Sequence, residues 1–427
     1  MANPGLMFDV DADNRVEGRS VRRRNVGWKA TSGGRFHRVA ITALICCAST
    51  LSACGGGGEG TTTVPADEIG LTAQELLGKR IFFDTNLSEP RGQSCSSCHD
   101  PDKDFSGNNG GDFGVALGSR VGVSGTRNTP TLTYGSFAPS FHLEPDDAGD
   151  PQPIGGFFWD GRVNTMAEQA KKPFFNVREM NNPNTASLIA KISSGSYADL
   201  FRQVGGANAF DSPEQALETV AQALQAFQNT SRFHPFSSRY DAYIQGKGAL
   251  TADELAGMAL FKDPNKGSCA ACHPMDDKSA DPKDSLFTDY SYDSLGVPRN
   301  LRITDNQDPA FFDLGLCGPN RTAPNNDPSL CGAFKVPTLR NVAKKTAFFH
   351  NGFFNNLRDV VSFYVTRDTD PLRWYTDGKK FNDLPQQYQA NVNTTEVPYN
   401  RNPGDAPALT EAEIDLVVKF LGTLSDR

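Results

Sequence analysis

Apolar residues follow helical spacing in only a few short stretches of this chain. One is residues 212–227, which opens on Ser212-Pro213, and another is residues 410–424, whose apolar face is Ile414, Val417, Val418, Leu421 and Leu424. A threonine followed three residues later by glutamate forms a capping box at three helix starts, Thr72, Thr251 and Thr410. Because Pro, Gly, Asn and Asp are frequent between these stretches, we predict a mostly α fold of short helices joined by long loops.

Two of these helix starts belong to a repeated segment. Residues 71–84 and 250–263 lie 179 positions apart and are identical at eight of fourteen positions. Each copy precedes the same motif, which reads Cys95-Ser-Ser-Cys98-His99 in the first copy and Cys269-Ala-Ala-Cys272-His273 in the second. The internal duplication predicts two related domains, residues 67–240 and residues 241–427.

Cys-x-x-Cys-His is the attachment motif of c-type haem. The two thiols become thioethers to the porphyrin, and the adjacent imidazole becomes an axial ligand of the iron. A redox dithiol or half of a zinc site is the alternative for a single copy, but zinc needs four ligands drawn from both motifs, and nothing in the sequence requires that. We therefore predict two cytochrome c-like domains with two covalently bound haem c groups, whose irons are bound by His99 and His273.

Residues 1–53 have the pattern of an export signal. Six basic residues between positions 22 and 38 precede the apolar run 39–48, which is too short for a retained membrane span. The run ends in Leu51-Ser52-Ala53-Cys54, which resembles a bacterial lipoprotein cleavage site with Cys54 as the lipidated residue, and residues 54–66 follow as a flexible tether. We predict a periplasmic lipoprotein anchored to the outer membrane. An ordinary signal peptide with an incidental Cys54 is the alternative, and it also exports the chain.

Net charge and the remaining cysteines limit the partners and the compartment. The formal charge is −8, and the first 53 residues contribute eight Lys or Arg against four Asp or Glu, so the remainder carries −12. That charge argues against nucleic acid and suits a basic protein partner or electron donor. Cys317 and Cys331 bracket a Gly/Pro/Asn-rich loop, so in an exported chain we predict a disulfide between them, with a free pair as the alternative.

Several segments outside the haem motifs resemble the bacterial di-haem cytochrome c peroxidase superfamily. They are Arg127-Asn128-Thr129-Pro130-Thr131, Phe158-Trp159-Asp160-Gly161-Arg162, Glu168-Gln169-Ala170, Val336-Pro337-Thr338-Leu339-Arg340-Asn341-Val342 and Phe349-His350-Asn351-Gly352. The resemblance extends from about residue 71 to residue 424. It implies an oxidoreductase that uses hydrogen peroxide.

The second iron has no methionine available from the C-terminal part of the chain, because none follows Met275. In the superfamily an axial methionine lies fourteen residues after the histidine matched by His350, and that position is Tyr364 here. The resemblance therefore implies the MauG-like branch, in which a tyrosinate replaces methionine and favours ferric and higher oxidation states. The alternative is a packed Tyr364 that does not bind iron, with His350 as the ligand.

The first iron lacks a candidate distal histidine, because no histidine lies between His99 and Asn128. Superfamily members often carry a removable distal histidine in that loop, so we predict an open, five-coordinate first haem that needs no reductive activation. Resemblance assigns catalytic roles to four residues. Glu179 transfers protons during O–O cleavage, Gln169 and Pro173 shape the pocket, and Trp159 relays electrons between the haems.

Other residues receive lesser roles. Resemblance implies a calcium ion bound by Asn128 with the backbone carbonyls of Lys345 and Ala347, although the superfamily usually has Thr and Pro at the last two positions. We interpret His142 and His234 as structural. Trp374 is a candidate surface exit point for oxidising equivalents.

The first prediction of function is MauG-like: hydrogen peroxide reacts at the open haem, and the oxidised pair removes electrons from side chains of a partner protein. The first alternative is a cytochrome c peroxidase that reduces peroxide to water with electrons from a small cytochrome or cupredoxin. The second alternative is a non-catalytic electron-transfer lipoprotein with both irons saturated.

Overall fold

The computed structural model describes residues 65–427 except 110–112, 147 and 322–326. The predicted leader, Cys54 and nearly all of the tether lie outside these residues and remain predictions. Within the described ranges, no helix is both long enough and apolar enough to cross a membrane.

Helices dominate the regular structure, and most are only two or three turns long. In the described part of the chain they are α1 (Ala73–Phe83), α2 (Cys95–Cys98), α3 (Met166–Phe175), α4 (Thr185–Ser193), α5 (Ala198–Gly205), α6 (Pro213–Gln228), α7 (Arg239–Ile244), α8 (Ala252–Lys262), α9 (Leu357–Thr366) and α10 (Glu411–Gly422). Long loops and short 3₁₀ turns connect them, which confirms the predicted fold class.

Among the residues that the structure describes, four short strands form two small antiparallel sheets. Strands β1 (His142–Pro145) and β2 (Pro151–Ile154) make a hairpin in which His142 pairs with Ile154. Strands β3 (Tyr292–Asp293) and β4 (Phe334–Lys335) pair Tyr292 with Lys335.

The predicted helix starts are confirmed. Thr72, Thr251 and Thr410 each form a capping box with the glutamate three residues later. Ser212 caps α6 by accepting a hydrogen bond from the Gln215 backbone amide, and Pro213 occupies the first helical position. These caps satisfy backbone amides that would otherwise lack a partner at a helix start.

Glycine permits the same close helix crossing in both halves of the chain. A Cβ on Gly78 of α1 would lie 1.9 Å from the Ala223 carbonyl oxygen of α6, and a Cβ on Gly257 of α8 would lie 2.0 Å from the Leu416 carbonyl oxygen of α10. A side chain cannot occupy either position, so the backbones approach closely only because both residues are glycine. Gly78 and Gly257 are 179 positions apart, so the sequence repeat is also a repeat of this crossing.

The core consists of two apolar clusters within one compact unit. One is built from residues between 77 and 233 and the other from residues between 240 and 424. Each contains an edge-to-face aromatic pair across its helix crossing, with ring centroids 5.5 Å apart for Phe82 and Phe227 and 5.3 Å apart for Phe261 and Phe420. The predicted first domain ends at Tyr240, which packs in the second cluster, and two separate domains stay a prediction.

A second structural repeat has a spacing of 191 positions. Helices α3 and α9 are both ten residues long and begin 191 positions apart, at Met166 and Leu357. An isolated antiparallel β-bridge precedes each helix, and these two bridges, Phe157–Val163 and Phe348–Phe354, show the same spacing. Position 173 in α3 therefore corresponds to position 364 in α9, and position 159 corresponds to position 350.

Buried polar contacts join the two halves. The Arg127 guanidinium binds Asp313 at 2.6 and 2.7 Å and Asp160 at 2.8 Å, and both carboxylates are buried. The Tyr134 hydroxyl donates to Asp426 at 2.8 Å. Buried charges are tolerated when they are paired in this way, so the packing of each half depends on the other.

The remaining cysteine pair forms the predicted disulfide. Cys317 and Cys331 are bonded, with their Cα atoms 4.9 Å apart. The cross-link closes the loop that contains residues 318–330.

Candidate active site

A cavity of about 920 Å³ is lined by residues from both halves. It is bordered by both Cys-x-x-Cys-His motifs and by six further residues to which the sequence assigns an iron, calcium or catalytic role: Tyr364, Glu179, Gln169, Pro173, Trp159 and Asn128. The fold therefore brings these predicted site residues to one continuous space at the upper end of the usual size of a ligand pocket.

The histidine of each motif is held through one ring nitrogen. His99 Nδ1 lies 3.1 Å from the Phe105 carbonyl oxygen, and His273 Nδ1 lies 2.8 Å from the Phe287 carbonyl oxygen. A carbonyl only accepts, so Nδ1 carries the proton and Nε2 retains its lone pair, as an iron ligand requires. Phe105 and Phe287 both have a left-handed backbone, with φ of 53° and 55°, so the same unusual turn aims both carbonyls.

Burial keeps these groups neutral. It lowers the pKa of His99 to about 4 and also lowers the pKa of His273. It raises the pKa of the four motif thiols, of Cys95, Cys98, Cys269 and Cys272, to about 12. All four thiols are free rather than paired in disulfides. Two free thiols and a neutral imidazole with a free Nε2, facing a large cavity, fit a covalent haem at each motif.

Tyr364 lies on α9 and faces the cavity near the second motif. None of the described residues forms a hydrogen bond with its hydroxyl group, although the ring packs against Phe349 at 5.6 Å and Tyr399 at 6.1 Å. Burial is the main cause of the raised pKa of Tyr364, and the nearby Cys272 thiol acts in the same direction. The half-buried Tyr364 side chain borders the cavity with a hydroxyl that has no partner in the described chain, so this oxygen is available to a ligand there.

Pro173 occupies the corresponding position on α3. It lies inside that helix and lines the cavity on the side of the first motif. Proline has no donor or acceptor in its side chain, so it cannot bind iron. The two equivalent helix positions thus carry one residue that is able to ligate and one that is not.

Glu179 is half-buried at the wall of the cavity. Its carboxylate accepts a hydrogen bond from the Asn176 side-chain amide at 2.7 Å, and its own backbone carbonyl accepts one from the Ser119 amide at 2.8 Å. Burial raises the pKa of Glu179, while the hydrogen bond from Asn176 acts in the opposite direction. A fixed carboxyl group with a raised pKa is better suited than an ordinary carboxyl group to take and return a proton.

Trp159 and Asn128 connect the two halves of the cavity wall. The Trp159 indole donates to the backbone carbonyl oxygen of Asn128 at 2.8 Å. The backbone amide of Asn128 in turn donates to the backbone carbonyl oxygen of His350 at 2.7 Å. Trp159 is only 8% exposed. The pair Trp159 and His350 also occupies equivalent positions in the 191-residue repeat.

His350 has its own packing partners. Its ring stacks on Phe334 with centroids 3.6 Å apart, and its Nε2 lies 3.5 Å from an Asp383 carboxylate oxygen. The side chain is buried beside these two residues. His350 Nε2 nevertheless makes no hydrogen bond within the described chain, and His350 borders the cavity as Tyr364 does. The choice of Tyr364 over His350 as the iron ligand therefore rests on the resemblance.

The predicted calcium position contains neutral oxygens and a buried amine. The Asn128 side-chain amide lies 3.0 Å from the Ala347 carbonyl oxygen and 3.1 Å from that of Phe349. The Lys345 ammonium lies 3.5 Å from the Thr129 carbonyl oxygen, and burial lowers its pKa to about 8. Among the described residues, no cluster of three or more His, Cys, Asp or Glu side chains is arranged to hold a metal ion.

Trp374 is not on the surface, and the prediction that it is a surface exit point is wrong. It is 9% exposed, and its indole donates to the Thr366 hydroxyl at 2.9 Å. The ring packs edge to face against Phe354 and Phe363, because the 3₁₀ turn that precedes it folds back onto α9. His142 lies on the exposed hairpin strand β1 and His234 packs against Phe137, and neither lines the cavity.

Sequence reasoning missed Tyr399, which lines the cavity beside Tyr364. No recognisable motif surrounds it, and it follows α9 by more than thirty residues. Only the folded chain brings it to the site.

Comparison with known proteins agrees with this site. A family model described as di-haem cytochrome c peroxidase matches residues 72–249. The methylamine utilization protein MauG of Paracoccus denitrificans is 33% identical over 371 residues, which are 85% of this chain and 90% of that protein. The cytochrome c551 peroxidase of Nitrosomonas europaea is 28% identical over 286 residues, covering 67% of this chain and 70% of that protein.

A solved structure shares the fold. The crystal structure of the di-haem peroxidase BthA from Burkholderia thailandensis has 43% sequence identity and a TM-score of 0.78, covering 83% of this chain and 86% of that chain. The similarity extends over both haem motifs, so membership implies two haem c groups and an oxidoreductase activity. This chain belongs to the di-haem cytochrome c peroxidase family.

Proposed function

We propose that this protein uses hydrogen peroxide at an open first haem to oxidise side chains of a partner protein, in the manner of the MauG-like branch. The observation that carries the proposal is the pair of equivalent helix positions, Pro173 in α3 and Tyr364 in α9. Pro173 has no ligand to offer an iron held by His99, whereas Tyr364 would supply a phenolate to an iron held by His273 and would favour its higher oxidation states.

The histidines of the cavity support an open first site. In the described part of the cavity wall they are His99, His273 and His350. Two belong to the attachment motifs, and His350 is packed between Phe334 and Asp383. His350 Nε2 makes no hydrogen bond within the described chain, but the resemblance gives His350 no axial role, so we assign it to neither iron.

Each residue of the first site has a distinct task. When bound, the haem groups supply iron centres that pass electrons to peroxide. Glu179 takes a proton from one peroxide oxygen and returns it to the leaving oxygen, and Asn176 holds its carboxylate in place at 2.7 Å. Gln169 and Pro173 border the space beside it, and Pro173 withholds a ligand from the iron.

Trp159 provides the route between the two sites. It is a buried aromatic side chain at the cavity wall, and its hydrogen bond to Asn128 joins it to the backbone of His350 in the other half. We assign it the relay of oxidising equivalents from the first iron to the Tyr364 side. A protein with two oxidised sites removes two electrons from a partner, whose tryptophan or tyrosine side chains are the proposed substrates.

The test is spectroscopy of the purified ferric protein, followed by peroxide. We expect one high-spin and one low-spin haem as isolated, and reaction with peroxide without prior reduction. Two low-spin haems would refute the open site and favour simple electron transfer. Rapid steady turnover with a reduced small cytochrome or cupredoxin would favour peroxide detoxification over oxidation of a partner.

Tyr364→Phe tests the second site. We expect it to change the ligation spectrum of the second iron and to leave the high-spin signal of the first iron intact. Tyr375→Phe is the matched control, because Tyr375 lies in the same apolar cluster and its hydroxyl donates to the Gly296 carbonyl instead of facing the cavity. An unchanged spectrum in Tyr364→Phe would refute the ligand assignment.

A calcium ion at Asn128 is part of the proposal. The proposed ligands are the Asn128 side-chain oxygen and the backbone carbonyls of Lys345 and Ala347, since calcium binds amide and carbonyl oxygens. In the structure the Asn128 side-chain nitrogen donates to the Ala347 and Phe349 carbonyl oxygens, and its oxygen accepts from the Asn108 side chain at 3.1 Å. Elemental analysis should find one calcium per chain, and Asn128→Ala should lose it. A metal-free protein with two haems and full activity would contradict this site.

We also propose export to the periplasm and an outer-membrane lipid anchor at Cys54. The apolar run, the Leu-Ser-Ala-Cys sequence and the covalent haem chemistry support it. Cys54→Ser should release the mature protein into the soluble periplasmic fraction. Persistent outer-membrane fractionation of that variant would argue against lipidation.

A further inference from the structure

Tyr399 is a second tyrosine at the Tyr364 side of the cavity. It is 6% exposed and lines the cavity, and its ring centroid lies 6.1 Å from that of Tyr364 with the planes tilted by 31°. No described residue accepts from or donates to the Tyr399 hydroxyl, so two neighbouring phenols lack partners within the protein.

Tyr399 is held firmly in this position. The Arg367 guanidinium lies over its ring at 4.3 Å, and Arg367 is itself completely buried. Asp368 and the carbonyl oxygens of Leu295 and Asn393 fix that guanidinium. The Tyr399 backbone is bonded as well, since its amide donates to the Glu396 carbonyl.

We propose that Tyr399 donates a hydrogen bond to the Tyr364 oxygen when that oxygen binds the second iron as a phenolate. This inference rests on the proposed function, because it takes Tyr364 as the ligand. A phenolate bound to iron keeps a lone pair, and a hydrogen bond to an anionic oxygen is among the strong ones. The bond withdraws electron density from the ligand, so Tyr399 is a positioning residue that limits how far Tyr364 stabilises the ferric state.

The closing experiment compares Tyr399→Phe with wild-type protein in a redox titration of the second haem. Without the hydrogen bond the phenolate becomes a stronger donor, so the equilibrium should shift about tenfold toward the ferric form, which equals a potential about 59 mV lower for one electron. The phenolate-to-iron charge-transfer band should move to longer wavelength. Tyr375→Phe should change neither quantity, and both variants should retain two haems per chain.

Two outcomes overturn the inference. An unchanged potential and band in Tyr399→Phe would show that the hydroxyl makes no such bond. Loss of the tyrosinate spectrum in Tyr399→Phe would show that Tyr399 is itself the ligand. Tyr364→Phe separates this inference from the proposed function. If Tyr364→Phe alters the second haem and Tyr399→Phe does not, only the hydrogen bond fails, whereas an unaltered second haem in Tyr364→Phe removes the ligand assignment.

Discussion

Replacing Glu179 by glutamine tests proton transfer without disturbing the shape of the first site. The backbone at this position is fixed on both sides, by the Asn176 carbonyl at 2.9 Å and the Ser119 amide at 2.8 Å. A glutamine amide oxygen accepts the Asn176 hydrogen bond as the carboxylate does. The variant therefore loses only the ability to take and return a proton.

The expected loss follows from that single role. A positioned acid–base group contributes roughly 10²–10⁴ in rate, and each tenfold is about 1.36 kcal/mol. The carboxyl is held by hydrogen bonds and half-buried, so we expect a loss in the middle of that range, about 10³ or about 4 kcal/mol in the rate of peroxide cleavage. The assay is stopped-flow absorbance of the ferric protein mixed with peroxide.

The pH dependence gives a second readout. Burial raises the pKa of Glu179, and Glu179 acts as a base only when it is deprotonated. The rate of peroxide cleavage should therefore rise with pH, with an apparent pKa above that of an ordinary carboxyl group. Glu179→Gln should remove this rise. Glu218→Gln is the matched control, because Glu218 is exposed on α6 and pairs with Lys171 away from the cavity. A loss of less than threefold in Glu179→Gln, with the pH dependence retained, would refute the role of Glu179.

Three further predictions concern the helix positions and the core. Pro173→His should place a ligand at the first iron, so the high-spin signal should become low-spin and peroxide should no longer react; a persistent high-spin signal would contradict the equivalence with Tyr364. Gly257→Ala should lower the free energy of unfolding by about 1–3 kcal/mol in chemical denaturation, because its Cβ would overlap the Leu416 carbonyl. Gly422→Ala is the control and should not destabilise the protein, because open space surrounds Gly422. Asp241→Ala should cost about 3–5 kcal/mol in the same assay, because it leaves the fully buried Arg340 without its carboxylate partner; a cost below 1 kcal/mol would contradict the burial of this pair.

The sequence predicted the elements whose signals are local. The capping boxes at Thr72, Thr251 and Thr410 and the motifs around His99 and His273 depend only on neighbouring residues, and all of these lie where expected. The disulfide followed from composition and compartment. Similarity between short segments located the cavity-lining residues.

The remaining features depend on contacts between distant parts of the chain. Trp374 was a candidate surface exit point, yet its ring is covered by Phe354 and Phe363. Tyr399 carries no motif, and its place beside Tyr364 is set by the path of the loop after β4 and α9. The equivalence of Pro173 and Tyr364 is visible only in the structure. Helices α3 and α9 have the same length and follow β-bridges with the same spacing, although they have little sequence in common.

The ion pairs of Arg127 have a consequence for how the molecule folds. Arg127 belongs to the first half, and its partner Asp313 belongs to the second, with both side chains almost fully buried. A chain cut at residue 240 would leave Arg127 with Asp160 alone and Asp313 without its cation. We therefore expect each half, expressed separately, to be less stable than it is within the whole di-haem body, although the sequence is a duplication.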